Sequence, residues 1–272
     1  MSSTDAATVS VVIPYSAQHT PERMLEEAKR SVARQSVPTE TIVVEDPEGR
    51  GPAATRNRGI ERATTRYVAF LDADDLWKPD KLERQLGRME RTGAGLCLDG
   101  DPSMSRDDFL YELFVGDLNE VMSSILLDTE QVDVRFEERL GRWEDHLFAL
   151  EASHAGVCLC RETFTVRYHE TSMSADRIDP SHYLTEGKKY VAFASDRVPE
   201  IRPFTYVFYR QMYFAMGYYL HRDGEYRDAM TYFVRSLQIG VSPLPVVGLL
   251  GSSIFYLVFD VLLGSDRSTE SK

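Results

Sequence analysis

Three carboxylates, Asp72, Asp74 and Asp75, fall within four consecutive positions of the run FLDADD (70–75), directly after an apolar stretch. Like charges at this spacing repel, so they persist where a cation or a ligand compensates them. Asp72-x-Asp74 supplies hard oxygen donors suited to Mg2+ or Mn2+, ions that keep several waters and bind phosphates as well. Such a metal can neutralise the charge on a departing diphosphate. Spacing alone is weak support, because an acidic chain makes such pairs by chance; Asp99 and Asp101 in LDGD form a second one. Asp75, with Pro79 following, also reads as a helix cap.

Other chemistry-bearing residues lie elsewhere in the chain. Glu45-Asp46 can accept hydrogen bonds from a nucleobase edge or a ribose hydroxyl, or can serve the turn before Pro47. Arg56 can reach a phosphate or a base, or can belong to a solvated helix face with Arg58 and Arg62. Asp145 can act as a general base. Its pair Glu144-Asp145 equally suits the start of a helix, where the macrodipole favours acids. His169 is either a metal ligand or a surface histidine of a polar loop. Cys158-x-Cys160 lacks a second pair to complete a zinc site. With Cys97, these residues read as core cysteines of a protein from a reducing compartment.

Elements must bring these residues together. Apolar patterning predicts strands over 9–14, 41–46, 66–75 and 93–101, with helices over 21–35, 52–64 and 79–90 between them. The order β-α-β-α-β-α-β predicts an α/β fold: a mostly parallel, Rossmann-like sheet with helices on both faces. Ligands bind beyond the carboxyl ends of such strands. The loops from Tyr15, from Glu45-Asp46 and from Asp72 to Asp75 are therefore expected to share one crevice. Residues 105–155 are mixed, with helical patterns near 107–127 and again over 142–152. Residues 156–168 read as strand and 169–176 as a polar loop. Two amphipathic helices, 204–221 and 225–239, form an αα-hairpin with Gly224 in its turn. Residues 243–264 are nearly uncharged, Asp260 being the exception.

The chain has 272 residues and a net charge of −12. That charge excludes a nucleic-acid groove and a broad basic face for anionic lipid. The six lysines are Lys29, Lys78, Lys81, Lys188, Lys189 and Lys272, and the other basic residues are Arg. Few Lys with many Asp, Glu and Thr match a salt-adapted, haloarchaeal protein; an ordinary acidic cytosolic protein fits nearly as well. The start, MSSTDAATV, carries no secretory apolar region, so a cytoplasmic location is expected.

Taken together the motifs resemble family 2 glycosyltransferases, inverting enzymes of the GT-A fold. VSVVIPY resembles the family's first strand, TIVVED its second, and GPAATRNRGIERATTRYVAFLDADDLWKPDKLERQL its central run. FEERLGRWEDHLFAL resembles the stretch ending in the acid pair, and YHETSMSAD the segment after it. Glu45 stands where the family has Asp, PEGRGP replaces its usual turn, and 98–128 matches poorly. The resemblance implies an EC 2.4 hexosyltransferase that moves a sugar from a nucleotide-diphosphate donor to an acceptor hydroxyl. Pro14, Tyr15, Asp46, Arg56 and Asp72 would hold the donor. Asp74, Asp72 and His169 would hold Mn2+ or Mg2+, and Asp145 would be the base. Residues 8–178 would form the transferase domain, 179–240 a helical extension and 241–264 an apolar segment.

That last segment is expected either to make peripheral membrane contact at the cytoplasmic face or to pack as a core helix; a true span is disfavoured by its prolines and Asp260. Membrane contact would suit a lipid-linked glycan acceptor in protein glycosylation; surface polysaccharide synthesis is the other setting. A non-catalytic relative using the crevice to bind nucleotide or to scaffold a partner is the alternative. A sugar-1-phosphate nucleotidyltransferase would want a Gly-rich loop where YSAQHTPERM stands. A haloacid-dehalogenase-type phosphatase would carry its D-x-D at the first strand.

Overall fold

The computed structural model describes residues 8–116, 118, 122–167 and 179–255. The described chain divides into two compact units. One comprises residues up to 167 together with Lys189–Ile201; the other comprises 179–188 and 202–255.

The first unit is built on a six-stranded sheet. β1 (Val9–Tyr15), β2 (Thr39–Glu45) and β3 (Tyr67–Phe70) run parallel, with β1 between the other two. Val9, Val11, Val12 and Ile13 are fully buried, as expected of a strand covered on both faces. α1 (Glu22–Ala33) and α2 (Pro52–Arg62) make the crossover connections between these three strands. Gly59 in α2 lies over β1 so closely that a Cβ there would sit 2.1 Å from a Val12 methyl, so only glycine fits.

Beyond β3 the sheet is no longer all parallel. β5 (Leu96–Asp99) does not pair with β3. β6 (Leu126–Asp128) lies between them, antiparallel to both, and β7 (Val157–Cys160) pairs parallel with β5. The sheet order is therefore β2-β1-β3-β6-β5-β7. Helical spacing over 107–127 misled the reading: α4 (Arg106–Val115) stops at Gly116, and a tight turn at Met122–Ser124 leads into β6. The strand expected over 156–168 is likewise two strands. β7 belongs to the main sheet, whereas β8 (Phe164–Thr165) pairs with β4 (Leu76–Trp77) in a small second sheet. α3 (Lys81–Thr92) begins after Asp80, whose side chain does not cap it; the Leu82 N–H donates instead to Gln35 Oε1 at 3.1 Å. α5 (Glu144–Ala152) opens on the predicted acid pair.

The three cysteines are buried, with the Cys97 and Cys160 sulfurs 3.9 Å apart across β5 and β7. Beside them Lys81 is fully buried. Its Nζ donates to Gln85 Oε1 at 2.6 Å and lies 4.2 Å from the Trp77 ring centre. Burial pushes its pKa down to about 7. Between pH 7 and 10 the unfolded chain then holds a proton that the folded chain lacks, so stability rises with pH over that window. Relative to Lys81→Met, the wild type is expected to gain about 2 kcal/mol between pH 7 and 9, read from urea unfolding. Equal pH slopes in the two proteins would refute this.

The second unit contains the first part of α6 (Pro180–Arg197), then α7 (Thr205–Arg222), α8 (Tyr226–Ile239) and α9 (Pro243–Phe255). The αα-hairpin stands as expected, with Gly224 at φ 84° in its turn. Met216, Leu220, Ala229 and Phe233 form its core. Among the described residues no helix is long and apolar enough to cross a membrane. The expected apolar segment 243–264 is described only as far as residue 255.

Candidate active site

Strand register assembles the site. Tyr15 pairs with Glu45, and Val12 pairs with Phe70. Two residues further on, Pro14 and Asp72 stand level at the carboxyl edge of the same sheet. The Asp46 N–H donates to the Tyr15 carbonyl at 3.0 Å, closing β1 and β2 together. Burial falls off at Pro14 and Tyr15, where the strand reaches the rim. The Asp46 carboxylate accepts from the backbone N–H groups of Arg50 (3.0 Å) and Gly51 (2.8 Å), which shapes the PEGRG turn.

The D-x-D turn is held from three sides. Its Asp75 N–H donates to the Asp72 carbonyl at 3.0 Å. Ser123, in the turn before β6, accepts from the Asp72 N–H at 3.1 Å and donates to Asp75 Oδ2 at 2.5 Å. Arg167 bonds the Asp74 carbonyl, Glu27 and the Met24 carbonyl with its guanidinium, and its N–H donates to Asp75 Oδ1 at 3.2 Å. Asp75 is thus an internal strut, not a helix cap. Burial, with the charge of Asp72 beside it, pushes its carboxyl up to about 7. Asp74 is half-buried at the apex. Asp99, in the second D-x-D, is spent on the Thr163 N–H and hydroxyl, and Asp101 on Ser103 and Arg161.

Arg56 is only 6% exposed. Its Nη2 donates to Asp72 Oδ1 at 3.0 Å and its Nη1 to Glu144 Oε1 at 2.9 Å. Burial works against the charge, but Asp72, Glu144 and Asp145 outweigh it, so the guanidinium pKa is raised. Glu144 is raised too, by burial and then by Asp145, with Arg56 opposing. Asp72, a third exposed, is raised by burial and by the charges of Asp74 and Asp145, again against Arg56. One buried cation therefore links the D-x-D turn to the start of α5. It lies over the Phe136 ring, which stacks on Phe148 at 3.9 Å. Asn57 completes the seat, trading hydrogen bonds with the Phe136 backbone N–H (2.9 Å) and C=O (3.0 Å). Each residue of the run Arg56-Asn57-x-Gly59 thus has a distinct packing role.

Asp145 sits half-buried in the first turn of α5, its Oδ1 accepting the His146 N–H at 2.8 Å. Trp143, just before it, has φ 60°, an outlier for a bulky residue. Stacking on Tyr190 at 5.7 Å and a 2.9 Å bond from the Leu147 N–H to its carbonyl hold it there. Such strain concentrates at functional sites.

The structure thus brings Pro14, Tyr15, Asp46, Arg56, Asp72, Asp74 and Asp145 to one edge of the first unit. His169 lies outside the described residues, as does the loop 169–176. The described chain leading to it ends at Arg167, which is itself fastened to the D-x-D turn. Among the described residues no three His, Cys, Asp or Glu side chains converge on a metal position. Asp72 and Asp74 together fit an ion that takes one or two carboxylates and fills its shell with water and phosphate oxygens. Ser123, Arg167 and the Arg56–Glu144 link went unread in the sequence. Ser123 was hidden in a stretch read as helix; no local signal marks a serine or an arginine that acts across 51 or 92 residues.

Comparison with known proteins places this geometry. The family described as "Glycosyl transferase family 2" matches residues 31–123. TuaG of Bacillus subtilis (strain 168), a glycosyltransferase assigned to teichuronic acid biosynthesis, is 39% identical over 35% of this chain and 45% of its own length. The succinoglycan biosynthesis protein ExoO of Rhizobium meliloti (strain 1021) is 24% identical over 62% of each. The chain therefore spans less than two thirds of either relative. S. aureus TarS 1-349, solved with UDP-GlcNAc, superposes with TM-score 0.59 at 17% identity over 92% of this chain and 89% of that one. The mannosyltransferase PcManGT of Pyrobaculum calidifontis, solved with GDP-Man and Mn2+, gives 0.55 at 16% identity over 94% and 82%. These likenesses show a shared GT-A-like fold.

Proposed function

We propose that the chain, whose residues 31–123 match glycosyltransferase family 2, is a metal-dependent inverting transferase of that family, moving a sugar from a nucleoside-diphosphate donor to an acceptor hydroxyl. The observation that carries this reading is the buried Arg56, which joins Asp72 of the D-x-D turn to Glu144 beside Asp145. A donor-side acid and a base candidate are thereby fixed in one frame.

Pro14, Tyr15 and Asp46 form the nucleotide end of the crevice, and Asp72 the ribose end. Asp74 and Asp72, with His169, are the residues that would hold Mn2+ or Mg2+, which when bound neutralises charge on the departing diphosphate. Asp145 takes the proton from the acceptor hydroxyl as its oxygen attacks the anomeric carbon from the face opposite the diphosphate. One displacement inverts that carbon, and no nucleophilic side chain is required. Arg56 acts from below, by holding Asp72 and Glu144. The nucleotide sugars in the related structures support the donor class. The relatives' polysaccharide pathways support a surface glycan as acceptor, lipid-linked or free.

The test is a panel of UDP-, GDP- and dTDP-sugars with Mn2+ or Mg2+, in low and molar salt, comparing wild type with Asp74→Asn. One donor is expected to turn over, chelator to stop it, and Asp74→Asn to lose at least about a hundredfold in rate. If calorimetry detects no donor binding in either salt, the transferase reading fails and a non-catalytic scaffold takes its place.

A further inference from the structure

α9 packs in reverse. Pro245 and Ser252 are buried on its inner side, with the Ser252 hydroxyl 2.7 Å from His221 Nδ1. Gly248 lies against the Phe233 ring, which a Cβ there would meet at 2.5 Å. Leu249 packs against the hairpin core, but the other large aliphatic residues point the other way: Leu244 is 61% exposed, Val247 66% and Leu250 59%, with Val241 and Val246 flanking them. A helix facing water shows the opposite distribution. Spacings of three and four residues along 244, 246, 247 and 250 gather these side chains into one stripe. Contiguous apolar surface of this kind marks a docking site.

Three occupants can be weighed. The chain's own continuation stays apolar and uncharged over residues 254–259, IFYLVF. A second copy would find five side chains where a stable interface uses about 20–30 residues a side. Along the chain it would find little charge to pair with: from residue 229 to 259 the only charged residue is Arg235. A bilayer needs neither directionality nor a rim, only apolar area, and the apolar run continues in sequence as YLVFDVLLG (256–264). We propose that the outer face of α9 is a membrane-docking surface, which inserts Leu244, Val247 and Leu250 among the acyl chains of a lipid bilayer. With almost no basic residues nearby, it takes neutral and anionic lipid alike.

Flotation of the full chain with phosphatidylcholine vesicles, and with vesicles containing phosphatidylglycerol, tests this with no sugar donor present. Its outcome is therefore independent of the transferase reading. Wild type is expected to float with both vesicles. The triple variant Leu244→Glu/Val247→Glu/Leu250→Glu, whose changes are at exposed positions, should partition at least about tenfold less. Thr231→Glu, on the exposed side of α8, should float like wild type. Circular dichroism identical to wild type shows that the triple variant is folded. Wild type remaining in the buffer overturns the proposal. So does light scattering that shows a dimer split by the same triple variant, which would assign the face to a second copy.

Discussion

Asp145→Asn is expected to lower acceptor-dependent turnover by about a hundredfold to ten-thousandfold while leaving donor affinity within a factor of two or so. The substitution keeps the shape and the hydrogen bond that the side chain accepts from the His146 N–H. It removes the capacity to take a proton. Asp145 follows Glu144 in the first turn of α5 and makes no hydrogen bond to Arg56, so the bonds from Arg56 to Glu144 and Asp72 stay in place. A loss confined to kcat identifies a group used in the transition state and not in donor binding. Calorimetric titration of donor and a single-turnover transfer assay together make the measurement. Unchanged turnover would move the base elsewhere, and a parallel loss of donor affinity would make Asp145 a binding group.

Arg56→Met is expected to cost about 3–5 kcal/mol of stability, because it leaves Glu144 and Asp72 without their shared cation. In a chain of this size that corresponds to a fall in Tm of about 10 °C. Burial drives both carboxyls toward the neutral form; Arg56 opposes it at both, joined at Glu144 by a backbone hydrogen bond. Glu144→Gln in the same background removes one of the stranded acids and should recover about 1–2 kcal/mol, giving a non-additive double-mutant cycle. Arg56→Lys keeps the charge, but its single ammonium cannot match the fork that reaches both acids. It is expected to fall between wild type and Arg56→Met. Thermal melts of wild type, Arg56→Met, Arg56→Lys, Glu144→Gln and the double variant decide the matter. An Arg56→Met chain as stable as wild type would mean that the two acids reach solvent or each other without it.

Local chemistry made much of this protein readable in advance. VSVVIP, TIVVE and YVAF are apolar runs whose buried strand character depends on composition over a few residues. Parallel pairing and crossover handedness then place their carboxyl ends together, so Tyr15, Asp46 and Asp72 were expected at one edge before any coordinates. The helix opening on Glu144 was legible for the same reason, and so was the turn at Gly224. What could not be read is long-range pairing. β6 is three residues long, too short to carry a period, and its place between β3 and β5 is selected by the sheet around it. Ser123 reaches the D-x-D turn only through that insertion. Arg56 reads from the sequence as an arginine that reaches a phosphate or base, or as part of a solvated face with Arg58 and Arg62, because helical spacing says nothing about the partner 88 residues away. Asp75 looked like a cap until burial and Ser123 claimed it. The sequence by itself determined the three parallel strands β1 to β3 and which acids lie at their ends, since both follow from neighbouring residues. Only the tertiary structure decided which acids share a cation, because a buried charge is matched by whatever the fold brings within about 3 Å.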